Sequence, residues 1–193
     1  MRWERLFDDL EAQLEADASR ELSAEVADRT RRERAQLRLA ERLTAVVDAH
    51  PVELRVAGLG TLRGVVWGTG PEWVLLDQRA PSPHGSVGEG GPDRPVLVAT
   101  TAIRAVVGLA GARPGGAVAR GFGLGAALRA VSRDRAVVDV VDIDGTVVTG
   151  TIDAVGQDLV EIAEHPGDLP RRSEHVLRVV AMPFLALAAV RRR

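Results

Sequence analysis

The sequence predicts a mainly β protein with an α-helical N-terminus: a helical arm, then two small five-stranded barrels in tandem, each preceded by a helix. Three observations carry this expectation. The first is an internal repeat, in which Leu43-Thr44-Ala45-Val46-Val47-Asp48-Ala49-His50-Pro51-Val52 returns as Leu128-Arg129-Ala130-Val131-Ser132-Arg133-Asp134-Arg135-Ala136-Val137. The matching continues downstream, where Gly60-Thr61-Leu62-Arg63-Gly64 pairs with Gly145 to Gly150 and Gly70 to Leu76 pairs with Gly156 to Ile162. The second is the apolar period, which changes from three-to-four residues before His50 to two after it. The third is the repeat length, too long for a solenoid unit and suited to a small domain. The expected boundaries are 1–36 for the arm, 37–110 for the first barrel with its helix, 111–123 for a linker and 124–193 for the second barrel with a basic tail.

The elements follow in order. Trp3, Leu6, Phe7, Leu10 and Leu14 share one helical face, and Leu37, Leu39, Leu43, Val46 and Val47 form a second apolar set. The charged stretch between them admits one long helix or two helices broken near residues 19–23, with Ser23 as N-cap. Proline at position 51 pushes His50 out of the α region and ends the helix. Val52, Leu54 and Val56 then alternate with Glu53 and Arg55, Gly58-Leu59-Gly60 turns the chain, and strands follow over 61–67 and 73–77. The Pro-, Gly- and Ser-rich stretch 80–95 reads as a long loop. Strands at 95–99 and 102–109, bent at Thr100-Thr101, close the first unit. The second has a helix over 124–133, strands over 136–143, 146–155, 158–163, 176–181 and 184–190, and a loop over 164–174. Glycine in the second strand of each unit permits the bend that barrel closure demands.

Composition narrows the function. Apolar residues are 46% and charged residues 27% of the chain, as in soluble globular proteins. No apolar run reaches the ~20 residues of a membrane span, and the opening residues lack a signal-peptide core, so a cytoplasmic location is expected. The absence of Cys removes disulfides, thiolate nucleophiles and Cys-based zinc sites. Every basic residue is Arg, and Lys, Asn and Tyr are missing, a bias toward GC-rich codons that weakens Arg enrichment as a sign of phosphate binding. Formal net charge is −2, against bulk electrostatic binding of nucleic acid. The distribution is uneven: six arginines and one acid lie between Arg104 and Arg135, acids without Arg occupy 137–168, and the chain ends in Arg191-Arg192-Arg193.

The turn Val141-Asp142-Ile143-Asp144-Gly145, the later Gly150-Thr151-Ile152, and the third-strand openings Gly156 to Val160 and Gly70 to Val74 together resemble the Sm-like fold, an SH3-type barrel. The opening Met1 to Leu10 is similar to uncharacterised actinobacterial proteins, some labelled Fis-type transcription regulators, although no helix-turn-helix accompanies it. Sm-like proteins hold RNA bases with an Asp and an Asn around strands 2 and 3 and an Arg-Gly before strand 5. Here those positions are Gly70 and Gly156 for the Asp and Val74 and Val160 for the Asn, and neither copy has an Arg-Gly between strands 4 and 5. The resemblance therefore implies the barrel without its base pocket.

Other constellations read as structure. Asp142-x-Asp144-Gly145 lacks the remaining calcium ligands and reads as a hairpin turn. Gly121-Phe122-Gly123-Leu124-Gly125-Ala126 has a dinucleotide-like spacing but no βαβ context, leaving a flexible helix start or an anion site at the helix N-terminus. His50, His84, His165 and His175 lack zinc-ligand spacing and read as surface residues. No catalytic residue, metal ligand or cofactor is assigned. The expected function is a non-enzymatic regulatory adaptor attached to transcription or RNA machinery, binding a protein partner through Trp3, Phe7 and Leu10 of the arm and through the barrel edges. The alternative is direct RNA or DNA binding through Arg113, Arg120, Arg129, Arg133, Arg135, Arg191, Arg192 and Arg193. Assembly of several copies is left open.

Overall fold

The structure, a computed structural model, describes residues 13, 19–32, 35–78, 95–109 and 119–193. It divides into two compact units, residues 1–38 and 39–193. In the first, residues 19–32 form one unbroken helix, α1. Ser23 is interior to it, donating its hydroxyl to the Ser19 carbonyl at 2.8 Å, as Thr30 does to Val26. Ser23 is thus no N-cap; its hydroxyl is spent on the turn behind it. Arg31 and Arg32 both reach Asp28 one turn back, a pairing that supports an exposed helix modestly. Leu22 and Val26 stay more than half exposed.

The second unit is mainly β. Helix α2 (Leu39–Thr44) precedes β1 (Pro51–Val56), β2 (Gly60–Thr69), β3 (Trp73–Asp77), β4 (Val96–Ala99), a 3-10 turn (Thr100–Ala102) and β5 (Ile103–Val107). Helix α3 (Leu124–Arg133) precedes β6 (Val138–Asp142), β7 (Val147–Val155), β8 (Leu159–Glu164), β9 (Arg178–Pro183) and β10 (Leu187–Arg192). All ten strands belong to one antiparallel sheet in the order β5-β1-β2-β3-β4-β10-β6-β7-β8-β9. Each half therefore has the same internal order, its fifth strand beside its first. The strands at the C-terminal end lie slightly later than the expected 176–181 and 184–190, because residues 184–186 form a turn.

The duplicated glycines explain the bend of the second strand. A Cβ at Gly64 would lie 2.2 Å from the Asp77 carbonyl oxygen, and one at Gly150 would lie 2.0 Å from that of Ala163. Strands crossing this closely exclude any side chain. Just beyond, a bulge interrupts both pairings, between Val66 and Gly68 against β3 and between Ile152 and Ala154 against β8; the extra residue sharpens strand curvature. Hairpin chemistry matches the sequence as well. Asp142 Oδ1 accepts from the backbone N–H groups of Asp144 and Thr146 at 2.9 and 2.8 Å, with Gly145 at φ 92°, an aspartate-stabilised turn rather than a calcium loop.

Two apolar cores form, and they exchange residues. One gathers Leu43 and Val46 with Leu54, Leu62, Val66, Val74, Leu76 and Val98, and takes in Ala188 and Ala189 from β10. The other gathers Leu124 and Leu128 of α3 with Val140, Val148, Ile152, Val160, Ile162 and Leu187, and takes in Trp73, Leu97 and Ala99 from β3 and β4. Leu124, Ala127 and Leu128 are buried at helical spacing, so α3 lays one stripe on its half. On α2, the Thr44 hydroxyl lies 2.7 Å from that of Thr69 in a buried pair that ties the helix to β2.

Candidate interaction surfaces

The seam between the halves is the first feature that positions surface for binding. β4 pairs with β10 in the register Val98↔Ala189, Leu97↔Val190 and Val96↔Arg191. Every residue of β4 is buried, and so are Leu187 to Val190. These strands bury both faces, which accounts for their continuous apolar runs. The outer strands differ. β5 and β9 each pair on one side only among the described residues, and they carry exposed apolar side chains. Val107 is 54% exposed and Val179 57%, with Leu177 and Leu185 flanking β9 at 72% and 80%. A sheet edge with unpaired backbone groups and apolar side chains is a template for another strand.

A second surface surrounds the start of α3. Leu124 N–H donates to Glu72 Oε2 at 3.1 Å, so a carboxylate from the first half occupies the helix N-terminus. A Cβ at Gly123 would come within 2.8 Å of that same Glu72 oxygen, and the small residue lets the carboxylate in. Trp73 Nε1 donates to the Phe122 carbonyl at 3.0 Å, and the two rings stack with centroids 5.3 Å apart. Beside this cap lies an open cleft of about 470 Å³ bordered by Glu72, Arg129, Gln157 and Phe184. Of the two tryptophans in the first repeat, Trp73 packs between the halves while Trp67 remains 54% exposed.

The arginines separate into two groups. Arg120, Arg129, Arg133 and Arg135 are exposed, and no salt bridge among the described residues engages them. Arg191, Arg192 and Arg193 instead face acids: Arg191 lies 3.3 Å from Asp139, Arg193 4.0 Å from Asp139 and Arg192 3.8 Å from Asp134. In the same half, the hydrogen bonds and charges of Asp153 and Glu164 raise the Arg171 and Arg178 guanidinium pKa values above their usual range. Arg113 and the arm residues Trp3, Phe7 and Leu10 lie outside the described residues, as do His84 and most of the 80–95 stretch.

His165 is the clear departure among the histidines: it is 1% exposed, not a surface residue. Its Nε2 lies 2.9 Å from the Thr151 hydroxyl and its Nδ1 2.9 Å from the Pro166 carbonyl. Both ring nitrogens are satisfied, which lets the ring be buried at small cost. His50 stays exposed, with Nε2 2.7 Å from the Gly108 carbonyl. Among the described residues no cluster of three His, Asp or Glu side chains is arranged to hold a metal ion, and no helix is long and apolar enough to cross a membrane.

Barrel edges are expected from the sequence as binding surfaces, whereas the Glu72 cap is not legible there. Glu72 stands within the repeated Gly-Pro-Glu-Trp stretch, but the distance in sequence between residues 72 and 124 conceals their meeting. No family profile, curated protein or solved structure matches this chain.

Proposed function

We propose that this chain is a non-enzymatic interaction protein whose second unit comprises two Sm-like barrels, acting as an adaptor associated with transcription or RNA machinery. The observation that carries the binding role is the pair of open edge strands, β5 and β9, with Val107, Val179, Leu177 and Leu185 exposed along them. Extended segments of a partner add to such edges through backbone hydrogen bonds, with alternate side chains supplying specificity. The link to gene expression rests on likeness of fold pattern, which is an analogy. Trp3, Phe7 and Leu10 of the arm supply a further partner contact. The test is affinity capture of the tagged chain from the lysate of its source, with and without nuclease. Protein partners that survive nuclease and are lost with Val107→Glu, Val179→Glu or Trp3→Ala support the adaptor. Partners indifferent to all three substitutions refute it.

A second reading has its own observation: Arg120, Arg129, Arg133 and Arg135 are exposed and free of acid partners among the described residues. Direct binding of RNA or DNA through them gives a log–log salt slope of about −3 to −4 for four neutralised phosphates. Arg129→Glu with Arg133→Glu abolishes it. Retention of nucleic acid by that double variant removes this reading.

A further inference from the structure

We propose that Ser173 is a phosphorylation site, to which a serine kinase that reads arginine transfers the γ-phosphoryl group of ATP. The segment Leu169-Pro170-Arg171-Arg172-Ser173-Glu174 lies in the loop between β8 and β9. Two guanidinium groups stand immediately before the hydroxyl in the chain. Kinases with carboxylates in the substrate groove select such serines, because arginine pairs with a carboxylate through two parallel hydrogen bonds. The site is independent of the edge strands and of the partner they take.

Placement separates Ser173 from the other serines. Of those described, Ser19, Ser23 and Ser132 lie within helices, and the hydroxyls of Ser23 and Ser132 donate to carbonyls of the preceding turn. Ser173 alone lies in a loop, exposed, and its hydroxyl makes no hydrogen bond among the described residues. Residues 171–174 donate no N–H to a backbone carbonyl among the described residues; the adjacent bond runs from His175 N to Arg172 O at 2.9 Å. Arg172 and Glu174 flank the hydroxyl with side chains about two-thirds exposed and 3.7 Å apart, a pair that holds the loop weakly. A kinase groove takes its substrate extended, and a segment with so few backbone bonds opens readily.

One contact latches the loop to the barrel. Arg171 grips Asp153 of β7 with two hydrogen bonds, Nε to Oδ1 at 2.6 Å and Nη2 to Oδ2 at 2.5 Å. Asp153 therefore competes with the enzyme for one of the two guanidinium groups. Trp67, three residues after Gly64, holds the place in the first half that Asp153, three residues after Gly150, holds in the second, so this carboxylate is particular to the second half. In the transfer, Ser173 Oγ bonds to the γ-phosphorus and the bond from that phosphorus to the β,γ-bridging oxygen breaks. ADP leaves, and the hydroxyl proton passes to the aspartate of the kinase. The product carries a charge of about −1.5 to −2 and three acceptor oxygens close along the chain to Arg171. It draws this guanidinium from Asp153 and repels Glu174, so modification holds the loop off β7.

The test has two arms. The full-length chain is incubated with labelled ATP and an arginine-directed serine kinase, and the chain is also isolated from its source cells with phosphatases inhibited; peptide mass spectrometry locates the phosphoryl group in each. One group on Ser173 is expected in both. Ser173→Ala, at an exposed position, is expected to lose the label while its circular dichroism matches the wild type. Arg172→Gln should lower kcat/KM about tenfold, through loss of one charge-assisted pair. Asp153→Asn leaves the acceptor sequence intact but opens the latch, and should raise the rate about two- to fivefold. Hydrogen exchange over residues 168–177 should quicken on phosphorylation. Absence of the group from Ser173 in either arm overturns the inference, as does label that persists in Ser173→Ala. A rate that Asp153→Asn leaves unchanged overturns the latch.

Discussion

Because each core borrows residues from the other half, residues 39–193 should unfold as one cooperative unit, and a core lesion in either half should lower the stability of both. Leu54 and Ile162 test this symmetrically. Both side chains are fully buried, Leu54 in the core of the first half and Ile162 in that of the second. Truncation of either to Ala removes three carbons, worth about 2.4 kcal/mol of transfer free energy at ~0.8 kcal/mol per carbon. A cavity contribution raises the total to roughly 3–4 kcal/mol, within the range for buried Leu or Ile to Ala. For a unit of this size each kcal/mol displaces the melting temperature by about 2–4 °C, so a fall of roughly 10 °C is expected from each variant. Differential scanning calorimetry should show one endotherm moving as a whole, with calorimetric and van't Hoff enthalpies in agreement. An endotherm that splits, one part unmoved in Leu54→Ala and the other unmoved in Ile162→Ala, would refute the shared-core argument.

Other expectations are narrower. Gly64→Val and Gly150→Val force a side chain against a backbone carbonyl 2.0–2.2 Å from the new Cβ, and urea denaturation should report a loss of at least about 1–3 kcal/mol in each. Glu72→Ala removes the side chain that caps α3, with an expected cost of about 1 kcal/mol; Glu72→Gln, which keeps an acceptor oxygen, should recover part of it. His165→Ala strips the buried Thr151 hydroxyl of its partner and should destabilise by about 1–3 kcal/mol, whereas His175→Ala, at a loop position, should leave the urea midpoint nearly unchanged.

The strands were legible because one-sided burial writes itself as alternation. In β1, Val52, Leu54 and Val56 are buried between more exposed neighbours, and the change of period at His50-Pro51 marks where this strand begins, although the preceding helix ends earlier, at Thr44, and turns fill the interval. The duplicated glycines were legible because close strand crossing tolerates no Cβ. What alternation cannot announce is which strands meet across a hundred residues. The seam left a local trace nonetheless, since Val96-Leu97-Val98-Ala99 and Leu187-Ala188-Ala189-Val190 do not alternate at all. Continuous apolar runs of that length signal burial on two faces but name no neighbour. His165 was misjudged for a related reason: its partners are a hydroxyl fourteen residues earlier and an adjacent carbonyl, neither recognisable as a pair from spacing. Ser23 shows the opposite difficulty, because the hydroxyl that suits an N-cap suits an interior back-bond equally well.

The borrowing of Trp73 and Leu97 by one core and of Ala188 and Ala189 by the other also bears on how the polypeptide can be cut. Cleaved between residues 109 and 119, the chain would leave two fragments, each with an apolar strand face that the other was built to cover. Neither piece alone would keep its core dry. Co-expressed, they should find each other through β4 and β10 and rebuild the unit without a covalent link, which makes this fold a natural split-protein pair.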